Sequence, residues 1–345
     1  MPNQPTAAAP TAILDSGCAK PLPLPRTREV LAAELRQLAE IGALDLPLPG
    51  GGDTATRWAG LATLGRCDLA LARLAEGHTD ALAILAEADR AAAPDALYGV
   101  WAARSGGTGA QLARDGERDV LTGTVRFCSG ANLLDRALVA AAGPDGDPAN
   151  GRLVELELTD PHVHRDQDSW PAIGMDASDS IDVRFAELPV TEDALVGPPG
   201  FYLSRTGFTL GGGGVAAVWL GGAAGAVDAV HTVLRGGSDP HQLAHVGVLH
   251  AALRAADALL TGTAHAIDRQ PDAEHALAVG TCRAAAERVA RDVLDLVPRI
   301  TGPTPLSRDR RFAQRLADLG VYVRQHHAER DLAALGRAVL AGEGE

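Results

Sequence analysis

Two hydrophobic periods divide this chain. From Asp119 to Phe185 apolar and polar residues alternate, through Val120, Val125 and Phe127, then Ala137 to Ala140, Leu153 to Leu158, and Ile181, Val183 and Phe185. A period of two interrupted by Gly, Asn, Asp and Pro predicts antiparallel strands. Before and after this stretch the residues are mostly Ala, Leu and Arg, with apolar positions at helical spacing. A helix is expected over 28–41, with Thr27 as its cap, Val30, Leu31, Leu35, Leu38 and Ile41 on one face, and Gly42 as its stop. Two more are expected at roughly 55–75 and 79–91. Beyond residue 201 the helical period persists, and long helices are expected at 239–267, 273–297 and 307–340. Asp239 caps the first of these, with Pro240 at its first position. The chain is therefore expected to be α+β, with an N-terminal leader and helical domain over 1–96, a central antiparallel β domain over 97–200, and a C-terminal four-helix bundle over 201–345.

Composition refines this picture. The chain has 345 residues, enough for more than one core, and 46% of them are hydrophobic while only 3% are aromatic. Ala, Leu and Val must then fill the interior, which favours helices at close range. The formal charge of −13 argues against nucleic acid and anionic membrane partners, both of which call for a basic footprint. Cys18, Cys67, Cys128 and Cys282 are widely spaced without a CxxC, and they read as reduced, isolated thiols of a cytoplasmic protein. The Pro-rich first 25 residues read as an irregular leader. With Pro10 breaking the alanines and no basic segment ahead of them, they do not resemble a signal peptide. The longest apolar run, 215–227, is short and Gly-rich for a membrane span.

Several words carry possible chemistry. Gly50 to Gly52 read as a turn, because no Lys-Ser/Thr follows as a phosphate loop would need. Gly212, Gly214 and Ala217 match the spacing of a dinucleotide fingerprint, but the chain runs on as helix with no second strand. The small pair Gly221 and Gly225 instead invites close approach of another helix. His162 and His164, at i, i+2, share a strand face, and His241 and His245, at i, i+4, share a helix face. Neither pair has a third ligand at suitable spacing, so no metal site is expected. His326 and His327 are adjacent, so at most one of them faces a cleft.

In their order and spacing, four words resemble the acyl-CoA dehydrogenase family. These are RLAEGHTDALAIL, TGTVRFCSGANLLDRALVAA, WPAIGMDASDSIDVRFAELPV, and DRRFAQRLADL followed by a helix containing LGR. The resemblance covers roughly residues 28–340. It implies an FAD-binding oxidoreductase acting on an acyl thioester or a related small acyl substrate, assembled as a homodimer or homotetramer. Carried over by position, Phe127 takes the place of the aromatic beside the isoalloxazine, followed by Cys128. Ser129 takes that of the hydroxyl near the flavin N5. Arg235 falls near the arginine that meets a neighbouring subunit's FAD pyrophosphate.

Two departures matter. The family's T-E-P-x-A-G-S word begins here with Trp101 in place of Thr. The family's catalytic Glu position holds Gln325, and its alternative location falls among the glycines near Gly213. Neither can abstract a proton α to a thioester. His326, Glu329 and Asp318 are the nearest candidates. Two further readings follow: a flavin monooxygenase on the same scaffold, which needs no such Glu, and a non-catalytic or half-site subunit completed by a paralogous partner.

Overall fold

Thr27 begins the first helix by accepting the Val30 N–H at 3.3 Å. In the computed structural model, which describes residues 12–15, 17–18, 22–116, 118–143, 146–147 and 150–342, helix α1 runs Arg28–Glu40 with Leu31 and Leu35 buried. Helices α2 (Thr54–Cys67) and α3 (Leu69–Glu87) follow. The break between them lies at Asp68, which is extended, and not near residue 77 as the sequence reading had it. Gly77 is accommodated inside α3. Strands β1 (Tyr98–Trp101), β2 (Gly109–Asp115), β3 (Arg118–Cys128), β4 (Arg136–Ala142), β5 (Arg152–Glu157), β6 (Val163–Asp166), β7 (Ile181–Val190) and β8 (Leu195–Val196) come next. The remaining elements are α4 (Phe201–Ser204), α5 (Thr206–Val233), α6 (Pro240–Arg269), α7 (Ala276–Thr301), α8 (Pro303–Arg308), α9 (Arg310–Tyr322) and α10 (Glu329–Ala341).

The long helix expected over 307–340 is thus broken. A 3-10 turn at Val323–Gln325 leads into extended His326, and Ala328 sits at φ 45°. The Asp331 carboxylate in the first turn of the new helix accepts the His327 N–H at 3.0 Å and so ties down the residue before its N-cap, Ala328. At α6 the expected cap is present and completed by Gln242 as a capping box.

These elements group into two compact units, woven from non-consecutive stretches of chain. One comprises residues 22–45 and 70–211. Among the described residues its eight strands form one sheet in the order β6-β7-β3-β2-β4-β5-β8, with β1 beside β4. Most pairings are antiparallel, as expected, but β4 runs parallel to both β1 and β2, which single-strand periodicity cannot reveal. The core is built where α3 meets the sheet, from Ala81, Ile84 and Leu85 against Tyr98, Leu138, Leu153 and Val196. Each buried Leu or Ile contributes about 1.5–3 kcal/mol.

The other unit comprises residues 1–21, 46–69 and 212–345. Asp268 of α6 accepts the Thr54 N–H at 3.0 Å and its hydroxyl at 2.6 Å, and Asp228 of α5 receives Arg66 of α2 at 2.6 and 2.8 Å. Helices α2 and α5 meet through small residues. A Cβ added to Gly221 would lie 2.0 Å from the Ala62 carbonyl oxygen, and one on Gly225 would lie 2.5 Å from that of Arg66. The small pair does admit a neighbouring helix. Gly221→Ala is expected to cost about 1–3 kcal/mol, seen as a lowered denaturant midpoint at constant slope.

The cysteine reading needs correction. Cys18 and Cys67 form a disulfide, with Cα atoms 4.9 Å apart, while Cys128 and Cys282 are free and buried. Spacing along the chain did not show the pair because residues 49 apart are brought together by the packing of the N-terminal segment. In that segment Ile13 donates to the Thr261 hydroxyl and Leu14 to Asp257. Closing a loop of this length restricts the unfolded chain by roughly 4 kcal/mol. Cys67→Ser is expected to lower Tm and to abolish the effect of reductant on it.

Two helical spans, Thr206–Gly236 and Pro240–Arg269, are long and apolar enough by length and composition to cross a membrane. The apolar window of the first is 83% buried within the protein, as befits a core helix, and that of the second 28%.

Candidate functional site

Strand β3 ends in an irregularity. Its pairing with β7 shifts between Val125 and Cys128, and Phe127, inside the shift, takes φ 59°. A bulky residue in the left-handed region is uncommon and costs roughly 1–2 kcal/mol. The distortion turns the Phe127 ring outward, where it is 51% exposed, while Val125 and Cys128 on either side are fully buried. Trp170 packs edge-on against it, with ring centroids 6.3 Å apart at 80°, and is itself held by its indole N–H donating to the Met175 carbonyl at 3.0 Å. Strained backbone, an outward aromatic and a fixed aromatic neighbour together make an open platform for a flat ring.

Beside the platform lies a chain of hydroxyls. Ser129 and Ser180 are 2.8 Å apart, as are Ser180 and Ser178, and Ser178 donates to the Met175 carbonyl at 2.7 Å. Each hydroxyl has one proton. With the Ser178 proton on Met175, whose carbonyl also receives the Ser178 and Trp170 N–H groups at 3.0 Å, Ser180 donates to Ser178 and Ser129 to Ser180. In that direction Ser129, 6% exposed, keeps lone pairs and no free proton. Asp179 braces the loop. It accepts the Asn132 N–H at 2.7 Å and Arg28 at 3.0 Å, while its own carbonyl receives the Gly130 N–H at 3.1 Å.

Of the other residues singled out in this unit, Trp101 is buried, and its indole N–H donates to the Ser129 carbonyl at 3.1 Å. It therefore braces Ser129 from beneath and presents no ring at the surface. The Cys128 thiol points inward to the Val125 carbonyl, and burial pushes its pKa up, so it stays protonated. Trp170 and the Ser178–Ser180 pair escaped the sequence reading. The signal available for them was the DASDS word, whose two serines flank one residue, Asp179, in the left-handed region.

In the other unit, Gln325 and Glu329 are exposed, and buried Asp318 is occupied by an amide hydrogen bond from Gln314 at 2.8 Å. His326 is different. Only 4% exposed, it packs edge-on against Trp219 with centroids 6.4 Å apart, and the Arg283 guanidinium lies 4.9 Å over that indole. Neither His326 Nδ1 nor the Trp219 indole N–H has a partner among the described residues. Burial lowers the His326 pKa, against the weaker pull of Asp331 and Glu287, so the imidazole is neutral near pH 7. Gly213 carries the Trp58 ring against its backbone, and the glycine fingerprint lies inside α5. Arg235 is exposed on a 3-10 turn. His162 pairs with Asp160 at 2.8 Å, and on α6 His241 is exposed and His245 half-buried. Among the described residues no group of three His, Cys, Asp or Glu side chains is gathered that could hold a metal.

Comparison with solved structures places this arrangement. FMN-bound TdsC from Paenibacillus sp. A11-2 superposes with a TM-score of 0.72 at 19% identity, covering 92% of this chain and 96% of that one. KijD3 in complex with FMN and dTDP-3-amino-2,3,6-trideoxy-4-keto-3-methyl-D-glucose gives 0.72 at 18%, covering 97% of each. The fold is acyl-CoA dehydrogenase-like. Methanesulfinate monooxygenase MsuC from Pseudomonas fluorescens shares it, with a TM-score of 0.71 at 19% identity, covering 92% of this chain and 96% of that one. By sequence, the dibenzothiophene monooxygenase of Rhodococcus erythropolis is 29% identical over 180 residues. That alignment covers 46% of this chain and 43% of the relative, so the match spans less than half the length of the curated proteins it resembles. No family model matches. The curated relatives, and TdsC and MsuC among the structural neighbours, are named as monooxygenases, and TdsC is seen with FMN, which favours the monooxygenase reading over the dehydrogenase that the sequence resemblance puts first.

Proposed function

We propose that this chain is a flavin-dependent monooxygenase that takes up reduced flavin, FMN in the first instance, at the Phe127–Ser129 face. The observation that carries the reading is the direction of the serine relay. Oxidised flavin offers a bare N5 that asks for a donor, whereas reduced flavin carries N5–H and asks for an acceptor. Ser129, its proton committed to Ser180, supplies the acceptor. Phe127 and Trp170 would pack the ring, and Trp101 and Asp179 would hold the loop that presents Ser129.

The fit is thus one of donor set and shape. Bound reduced flavin supplies the two electrons that, with molecular oxygen, place one oxygen atom on the substrate and release the other as water. The protein's part is to seat the ring, satisfy N5–H and move protons. His326, neutral and without a hydrogen-bond partner at Nδ1, is the proton-transfer candidate. Acyl-thioester dehydrogenation fits less well, because the position of the usual base holds the amide of Gln325. FAD in place of FMN, and a homo-oligomeric assembly, belong to this proposal as alternatives to be assayed.

Dibenzothiophene and indole, each named with a relative, are the first substrates to test. Supplied with enzymatically reduced FMN and ¹⁸O₂, the protein is expected to yield a product carrying one labelled oxygen atom. Anaerobic bleaching of bound flavin by an acyl-CoA would instead establish the dehydrogenase. Ser180→Ala provides an internal check. It frees the Ser129 proton, so affinity for oxidised flavin is expected to rise by about 0.5–1.5 kcal/mol, one net hydrogen bond.

A further inference from the structure

On the sheet unit a second recess lies among the ends of β4 and β5, the loop after β1, and α4. It is a cavity of about 70 Å³ lined by Ala102, Ala140, Ala141 and Leu203, with Arg104 and Arg152 as its charged groups. At roughly 10–15 Å³ per water, it has room for about five to seven heavy atoms, enough for a small apolar body with a charged group left at the rim. Its floor is fixed, since the Gly200 N–H donates to the Gly151 carbonyl at 2.8 Å. The Arg104 stem is held too, lying over Gly109, where an added Cβ would come within 3.3 Å of its Cγ.

The two arginines stand apart from their neighbours. Arg36, Arg90, Arg136 and Arg205 of the same unit each meet a carboxylate. Arg104 and Arg152 have no ion-pair or hydrogen-bond partner among the described residues, and Arg152 Nε is buried without one. A buried guanidinium nitrogen left unpaired is costly, and a planar fork of donors matches a phosphoryl group. Two guanidinium groups without partners among the described residues, at the rim of a recess otherwise lined by Ala, Gly, Leu203 and Tyr202, in a chain of net charge −13, mark a place for an anion with an apolar body.

We propose that this recess is a binding subsite for a phosphate monoester, with Arg104 and Arg152 on the phosphoryl group and the apolar body against Ala140, Ala141 and Leu203. The assignment does not rest on the flavin reading. Calorimetric titration of the full-length chain, without flavin, with inorganic phosphate, phenyl phosphate and phenol tests it. Phenyl phosphate is expected to bind more tightly than inorganic phosphate, and phenol not to bind saturably. Both anions are expected to weaken as ionic strength rises. Arg152→Gln and Arg104→Gln are each expected to weaken both anions about tenfold. Arg104 is exposed, so its variant tests the site even if that of the half-buried Arg152 loses fold. Unchanged affinity in a folded variant, absence of saturable anion binding, or phenol binding as well as its phosphate would each overturn the assignment.

Discussion

Phe127→Ala is expected to bind reduced FMN about tenfold more weakly than the native chain, and to lose coupled oxygenation in proportion. The ring is half exposed and set edge-on to Trp170, so its removal takes away a stacking surface while disturbing little of the interior. A generally damaging substitution would lower binding too, and the backbone offers a way to tell the two apart. Phe127 sits at φ 59°, a conformation that glycine adopts freely and alanine does not. Phe127→Gly is therefore expected to be about 1 kcal/mol more stable than Phe127→Ala in urea, and equally poor at holding flavin. Parallel titrations and unfolding curves of the two variants check this. Binding that followed stability across the pair would assign Phe127 to the core alone.

His326→Gln tests the proton-transfer role proposed for that side chain, and slower turnover, by the roughly 10²–10⁴-fold that general acid–base catalysis contributes, is the expected result. The pH profile fixes the assignment. Burial depresses the His326 pKa below its ordinary 6.5, so the neutral, proton-accepting form persists as pH falls through 6.5, and the group is lost only lower down. The acid limb of the native rate profile is expected below pH 6.5 and is expected to vanish in the variant. His327→Gln, altering an exposed imidazole, leaves that limb in place.

Much of the architecture was legible because it rests on short-range rules. Thr27 and Asp239 announced their helices by capping chemistry, and Gly221 and Gly225 announced a close helix contact. Single alternation found β3, β4, β5 and β7. What was hidden depended on tertiary placement. The parallel partners of β4, the Cys18–Cys67 bridge and the break before α10 are set by which segments meet, and no local period records that.

The candidate site divides in the same way. Phe127 and Ser129 are candidates from a word and its spacing, and that much needs no coordinates. The burial of Trp101 beneath Ser129, the edge of Trp170 and the direction of proton donation through Ser180 and Ser178 required coordinates, because each depends on residues dozens of positions apart. The relay also bears on the choice of chemistry. The sequence places Ser129 near the flavin N5, and the direction of the hydrogen-bond chain bears on whether it meets an oxidised or a reduced ring.

The most direct test of that acceptor is an anaerobic fluorescence titration of the native chain with FMN in its reduced and oxidised forms. The account predicts that reduced FMN binds about tenfold more tightly, the difference between an accepted N5–H and an unsatisfied pair of lone pairs. Equal affinity, or tighter binding of the oxidised form, would contradict it.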